Sequence, residues 1–262
     1  MLSIIIPSYK DPLLNKTVES LLENAKGDIE IICVLDGYWM APIDDPRVKV
    51  IHLGKNRGMR EAINAGVAIS KGEYLMRTDE HCIFCEGYDL GLTANLQDNW
   101  IMTPRRYYLD AKKWEVMDKD PVDYSNLKIM RVEGGRKFHG YDDAKTAEKR
   151  KDILIDETFA MQGSCWVMKR SWWDSVIGKL ESEGYGPHYQ DSIEMIFKTW
   201  KKGGKLMVNK NTWFAHKHRK FKRTHHYSNQ RALPEWKYVL KIWEGYYKKL
   251  IKKNRINTYE AV

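Results

Sequence analysis

Two short, wholly apolar runs near the N-terminus, with a single helical repeat between them, leave few folds open to this chain. Leu2 to Ile6 leads through Pro7 into the turn Ser8-Tyr9-Lys10-Asp11-Pro12. Leu13, Leu14, Val18, Leu21 and Leu22 then recur at helical intervals, and Gly27 reads as the helix end. Glu30 to Leu35 is the second run, and it stops at Asp36-Gly37. A strand apolar on both faces must be buried on both, as in a parallel sheet covered by helices. Val48 to Ile51 reads as a third strand, Met59 to Ile69 as a helix, and Tyr74 to Met76 as a fourth strand. Ala62, Ala65, Gly66 and Ala68 are small enough to bring that helix close to a sheet. The order strand, helix, strand, strand, helix, strand predicts a doubly wound α/β sheet, mostly parallel, with helices on its faces.

Composition narrows the partners more than the fold. The 44 Lys and Arg against 35 Asp and Glu leave a net charge of +9, which favours polyanionic partners: phosphates, nucleic acid or an acidic membrane surface. No run approaches the roughly 18 apolar residues of a spanning helix. The start, Leu2-Ser3-Ile4-Ile5-Ile6-Pro7, is too short for a signal peptide. Cys33, Cys82, Cys85 and Cys165 follow no secreted framework, and Cys82-x-x-Cys85 has no second pair to complete a zinc site. Reduced, mostly buried thiols in a bacterial or viral (host) cytoplasm are expected.

Polar side chains gather where the apolar runs end. Asp79 and His81, two apart after the fourth strand, point to one side of an extended segment. A carboxylate and an imidazole converging there suit a divalent ion of the manganese type, at the strand ends where open α/β sheets bind ligands. Capping by Asp79 with a solvated His81 is the alternative. Asp36 suits a base or ribose, or a turn cap. The pattern Asn56-x-Gly58-x-x-x-Ala62-x-Asn64-x-Gly66 suits close approach to a nucleotide, or tight helix packing.

Pro104 to Ile155 is less regular. Gly134 to Asp152 carries many charges and few apolar residues, so a mobile loop is expected near 134–152. Arg105, Arg106, Tyr107, Tyr108, Lys112, Lys113 and Trp114 interleave phosphate-binding and base-stacking types, or else form a helix with a basic solvated face. Asp191 stands at the start of a further helix, where the macrodipole favours a carboxylate. Over Pro234 to Tyr259, Trp236, Val239, Leu240, Trp243, Tyr247 and Leu250 share one helix face. That helix packs on the core, with contact to a membrane surface as the lesser alternative.

Together, IIIPSY, the Asp ending the second strand, N-R-G-x-x-x-A-x-N-x-G and G-E-Y-L-x-x-x-D-x-H resemble a GT-A glycosyltransferase of the family-2 type. The D-x-H-C form of the fourth motif is similar to the catalytic domain of polypeptide N-acetylgalactosaminyltransferases. Tyr189 to Lys205 resembles that family's W-G-G-E-N-L-E-I-S-F-R-x-W-x-x-G-G-K segment, with Asp191 and Glu194 at its two Glu positions. Ala215-His216-Lys217-His218-Arg219-Lys220 resembles its G-H-x-F-R-K, with Ala and His in place of Gly and Phe.

The resemblance implies a Rossmann-like nucleotide-sugar-binding half over 1–103, an acceptor-side half over 104–232, and the terminal helix over 233–262. It implies a metal held by Asp79, His81 and His216, with Mn2+ or Mg2+ as the ion. It sets Pro7, Tyr9, Asp36, Asn56, Arg57, Gly58, Arg77, Thr78 and Asp79 around the donor, Gly163 beneath its sugar, and Arg219 and Lys220 on its diphosphate. Asp191 and Glu194 become the catalytic carboxylates. Asp191 as a base implies inversion; the likeness to N-acetylgalactosaminyltransferases implies retention.

The expected activity is metal-dependent transfer from a nucleoside-diphosphate sugar, a UDP-sugar by resemblance, to an acceptor hydroxyl. A cytoplasmic glycan precursor or a hydroxylated base of phage DNA would be the acceptor, because the family's secretory anchor and lectin module are not seen in these residues. The rival readings are a non-catalytic sugar-nucleotide or nucleic-acid binding protein on the same fold, and a nucleotidyltransferase releasing pyrophosphate.

Overall fold

The computed structural model describes residues 1–41, 43–187, 190–218 and 229–259. Its centre is a ten-stranded sheet built first from β1 (Leu2–Ser8), β2 (Ile29–Asp36), β3 (Val48–Leu53) and β4 (Tyr74–Thr78). These four lie side by side in the order β3-β2-β1-β4, all parallel. Alternation sorts their side chains between two faces. Ile4, Ile6, Ile31, Cys33 and Leu35 join Leu14, Val18 and Leu21 of α1 (Leu14–Asn24) on one side. Ile5, Ile32 and Val34 join Ala62, Ile63 and Val67 of α2 (Met59–Ile69) on the other. Gly66 matters here, because a Cβ at that position would lie 2.5 Å from Ile5 Cγ2. The helix can approach β1 only without it. The first helix stops at Asn24 rather than at Gly27, with Ala25 already extended.

After β4 come the short β5 (Cys82–Phe84) and α3 (Tyr88–Thr93), then β6 (Trp100–Asp110) and the two-residue β7 (Glu115–Val116). Residues 105–110 are therefore strand, not helix, and the β-branched and aromatic content of WIMTPRRYYLD explains it.

The segment expected as a loop near 134–152 is ordered structure instead. β8 (Ser125–Val132) and β9 (Gly135–Asp142) form an antiparallel hairpin, followed by α4 (Ala144–Lys149). Gly134, at φ +77°, closes its two-residue turn. The charges of the hairpin lie mostly outward while Leu127 and Phe138 reach the core. Asp143 starts α4 by accepting a hydrogen bond from the Thr146 amide.

β10 (Ile155–Thr158) and β11 (Cys165–Lys169) return to the main sheet, β11 running antiparallel between β4 and β6. α5 (Arg170–Trp172) and a π-helical turn at Trp173–Ile177 lead towards α6 (Asp191–Lys201). β12 (Lys205–His216) pairs along β6 and ends against β5. The last helix, α7 (Asn229–Lys252), buries Val239, Leu240, Trp243 and Leu250 in the same core as Ile5 and Phe197, and its Trp236 is buried as well. Trp243 stacks on Phe197 at 5.2 Å, so this aromatic face packs into the core. No helix among the described residues is long and apolar enough to cross a membrane.

Candidate active site

The strand ends position the site. β4 runs out at Thr78, and Asp79-Glu80-His81 crosses to β5, whose Cys82 is in register with His216 at the end of β12. Ligand-type atoms of Asp79, His81 and His216 therefore converge, although 135 residues separate the two imidazoles in sequence. His216 Nε2 lies 3.0 Å from Asp79 Oδ2 and 3.1 Å from His81 Nε2, and His81 Nε2 lies 3.9 Å from that same oxygen. Donors bound to one small divalent ion at about 2.1 Å, and at right angles to each other, are about 3 Å apart. The three atoms thus fit a single ion, and two imidazoles with one carboxylate suit Mn2+ better than Mg2+, which prefers oxygen.

Charged neighbours hold this trio. Arg77, almost fully buried, donates to Asp79 Oδ1 at 2.6 Å and leaves Oδ2 facing the imidazoles. Burial alone would push the Asp79 carboxyl up, but Arg77 and then the imidazoles overcome it and hold it far below the usual carboxylate range. The His216 imidazole is pushed down by burial, which keeps it neutral and able to offer a lone pair. His81 Nδ1 meets Asp11 Oδ2 at 3.0 Å. Glu80 accepts from the Tyr9 amide at 3.2 Å, and burial, with the charges of Asp11 and Asp79, pushes it up to about 8. Nothing in the sequence singles out Asp11, a turn residue, or Glu80.

Asp191 and Gly163 sit together. A Cβ on Gly163 would lie 2.9 Å from Asp191 Oδ2, and that oxygen is buried with no hydrogen-bond partner among the described residues. The next residue, Ser164, accepts from the Asp79 amide at 2.9 Å, so the Gly163 segment spans from the trio to Asp191. An unpartnered buried carboxylate oxygen is costly and suits a hydroxyl brought by a ligand.

Glu194 does not join them. One turn further along α6 its carboxylate is completely buried, paired with the equally buried Arg60 of α2 and with Lys198 Nζ at 2.7 Å. Arg60 in turn stacks 4.6 Å above the Tyr185 ring. Glu194 thus ties α6 to α2, its carboxylate already engaged by Arg60 and Lys198.

The residues expected around a nucleoside divide similarly. Asp36 turns inward: its carboxylate accepts from the Arg57 amide at 2.6 Å, the Gly58 amide at 2.8 Å and Asn56 Nδ2 at 3.0 Å. It caps the start of α2 from a distance, a favourable place for a negative charge. Gly58, at φ +93°, lies against Pro187, so the segment before α6 rests on this same cap. Pro7 and Thr78 are buried in their strands. Tyr9 is half-buried with its ring edge-on to Tyr38 at 6.2 Å, and the Arg57 side chain is exposed.

The basic strip of β6 is engaged. Arg105 makes a paired hydrogen bond to Asp123 at 2.7 Å, and Arg106 binds Asp142 and His218. Lys16 lies over Trp114 and Lys119 over Tyr108. Burial, then Arg106, lowers His218 to about 4. The four cysteines are free thiols, and burial pushes Cys33 up to about 12, so none is poised as a nucleophile. Arg219 and Lys220, expected on the diphosphate, lie outside the described residues.

Residues 3–177 match the profile of glycosyl transferase family 2. The chain belongs to that family. This glycosyltransferase is 32% identical over 107 residues to the glycosyltransferase GlyG of Streptococcus pneumoniae serotype 4, covering 37% of this chain and 36% of GlyG. It is 34% identical over 84 residues to the uncharacterized glycosyltransferase EpsJ of Bacillus subtilis, covering 29% and 24% of the two. Both alignments thus span well under half of the relatives' length. Among solved structures, GalNAc-T7 with UDP, GalNAc and Mn2+ superposes with a TM-score of 0.73 at 17% identity, over 97% of this chain and 51% of that one. TarS of S. aureus gives 0.54 at 11% identity, over 83% and 36%. At such identities the likeness shows the shared GT-A fold. In that fold this glycosyltransferase carries the trio at the strand ends, where open α/β sheets bind their ligands.

Proposed function

We propose that this glycosyltransferase moves a sugar from a UDP-sugar to an acceptor hydroxyl with a divalent ion, Mn2+ in the first instance, held by Asp79, His81 and His216. The convergence of those three donor atoms on one point carries the reading. The UDP and Mn2+ in the GalNAc-T7 structure support it. Bound there, the ion supplies Lewis-acid neutralisation of charge on the leaving diphosphate. Arg77 keeps Asp79 ionised and aimed, and burial keeps the His216 imidazole neutral. Gly163 leaves room beside Asp191 for the sugar.

Asp191 takes a hydroxyl proton or orients a hydroxyl of the transferred sugar. In the first role the acceptor oxygen bonds to the anomeric carbon as the bond to the diphosphate oxygen breaks. The proton passes to the Asp191 carboxylate and the electron pair leaves with UDP. A product of inverted anomeric configuration assigns Asp191 that role; a retained anomer assigns it the orienting one. The acceptor is best read as a glycan precursor rather than DNA, because Arg105 and Arg106 are already paired with carboxylates. A reducing, cytoplasmic setting suits the free thiols. The test is Mn2+-dependent release of UDP by wild type and Asp79→Ala. Loss of at least about 100-fold is expected, as for removal of a transition-state charge partner; an unchanged rate would remove the metal from the mechanism.

A further inference from the structure

We propose that Asp11 is the positioning residue of the metal centre, holding the proton of His81 on Nδ1 so that Nε2 offers its lone pair to the ion. The inference rests on the metal reading above and adds a residue outside the ligand trio. His81 Nδ1 and Asp11 Oδ2 are 3.0 Å apart, and both residues are buried, at 3% and 8% exposure, so water does not compete for that proton. The carboxylate is itself fixed. Its other oxygen accepts from the Leu13 amide at 2.8 Å, and the Asp11 carbonyl accepts from Leu14 at the start of α1. An anion facing one imidazole nitrogen selects the tautomer with hydrogen on that nitrogen, which leaves the other as the ligand. For His81 the other nitrogen is the one turned to His216 and Asp79. His216 has no such support: its Nδ1 is buried without a hydrogen-bond partner among the described residues. His81 is thus the pre-set ligand of the pair.

Asp11→Asn separates this role from a structural one. The amide oxygen can still accept from Leu13, preserving the turn, but its NH2 now faces His81 Nδ1. The imidazole must then accept there and carry its proton on Nε2, where it blocks the ion. Two readouts decide. The 15N shifts of His81 in metal-free protein are expected to report an Nδ1 proton in wild type and an Nε2 proton in the variant. Mn2+ affinity by calorimetry is expected to fall about 10- to 100-fold, as for other orienting partners of metal-binding histidines, with the metal-free melting temperature nearly unchanged. Should Asp11→Asn fold poorly, Asp11→Ser serves instead, since its hydroxyl can cap the turn but cannot reach His81. Wild-type affinity in a folded variant, or an Nε2 proton in wild type, overturns the proposal while leaving the metal site standing. Wild type and Asp79→Ala binding Mn2+ equally, or neither binding it, overturns the metal reading itself.

Discussion

Replacing Glu194 with Gln separates a structural carboxylate from a reacting one. The side chain keeps its shape but loses its charge, leaving the Arg60 guanidinium of α2 fully buried opposite a neutral amide. Lys198 loses its ionic partner too, but it is partly exposed and still donates to the Ile177 and Lys179 carbonyls. Removing one member of a fully buried ion pair costs about 3–5 kcal/mol, chiefly because the surviving charge is uncompensated. For a chain of this size each kcal/mol moves the melting point by about 2–4 °C, so a fall of roughly 6–20 °C is expected. Calorimetry measures it directly. The cause is checked by Arg60→Met combined with Glu194→Met, which removes both charges and keeps apolar volume beside Tyr185. That double variant is expected to regain most of the lost stability and to retain transfer. A Glu194→Gln protein melting within about 2 °C of wild type, equivalent to 1 kcal/mol or less, yet inactive, would refute the assignment and make Glu194 a reacting group.

Gly163→Ala places a methyl 2.9 Å from Asp191 Oδ2, where the sugar would lie. Transfer is expected to fall at least about 10-fold, or about 1.4 kcal/mol in the barrier, with the fold intact; steady-state kinetics and a melt read both, and an unaffected rate would clear Gly163 of the role. Asp156 anchors the connection after α4, pairing with Arg150 at 2.6 and 3.0 Å and accepting from the Tyr124 hydroxyl at 2.6 Å. Burial raises its carboxyl, yet Arg150 and Tyr124 prevail and hold it below its ordinary value. A lowered folded value means that the ionised group stabilises the fold above the unfolded value and loses that effect as pH falls through the folded one. Asp156→Asn is therefore expected to cost about 1–3 kcal/mol near neutrality, with the difference closing below about pH 4; denaturant melts across that range check it, and a pH-independent gap would count against it.

The sheet was legible because its central strands are apolar on both faces. Leu2 to Ile6 and Glu30 to Leu35, with a helix between them, read as buried parallel strands, and β1 and β2 cover both runs. The D-x-H spacing exposed two ligand-type residues, and the resemblance supplied the third. What the sequence hid is where a carboxylate points. Asp36 looks like any strand-end acid until the amides of Arg57 and Gly58, about 20 residues on, claim it. Asp191 and Glu194 are three residues apart on one helix, yet only Glu194 finds a buried cation, and that cation lies 134 residues away. The hairpin of β8 and β9 was masked by its charges. Its apolar contribution comes down to a few residues such as Leu127 and Phe138, too sparse for a period to show.

The most direct test of the metal-dependent donor site is thermal stabilisation by UDP-, GDP- and CDP-sugars, each with and without Mn2+, for wild type and Asp79→Ala. A UDP-sugar at 100 times its dissociation constant should stabilise by about 2.7 kcal/mol, only when Mn2+ is present and only in wild type. A shift of equal size without the metal, or in Asp79→Ala, would contradict a donor site built on Asp79, His81 and His216.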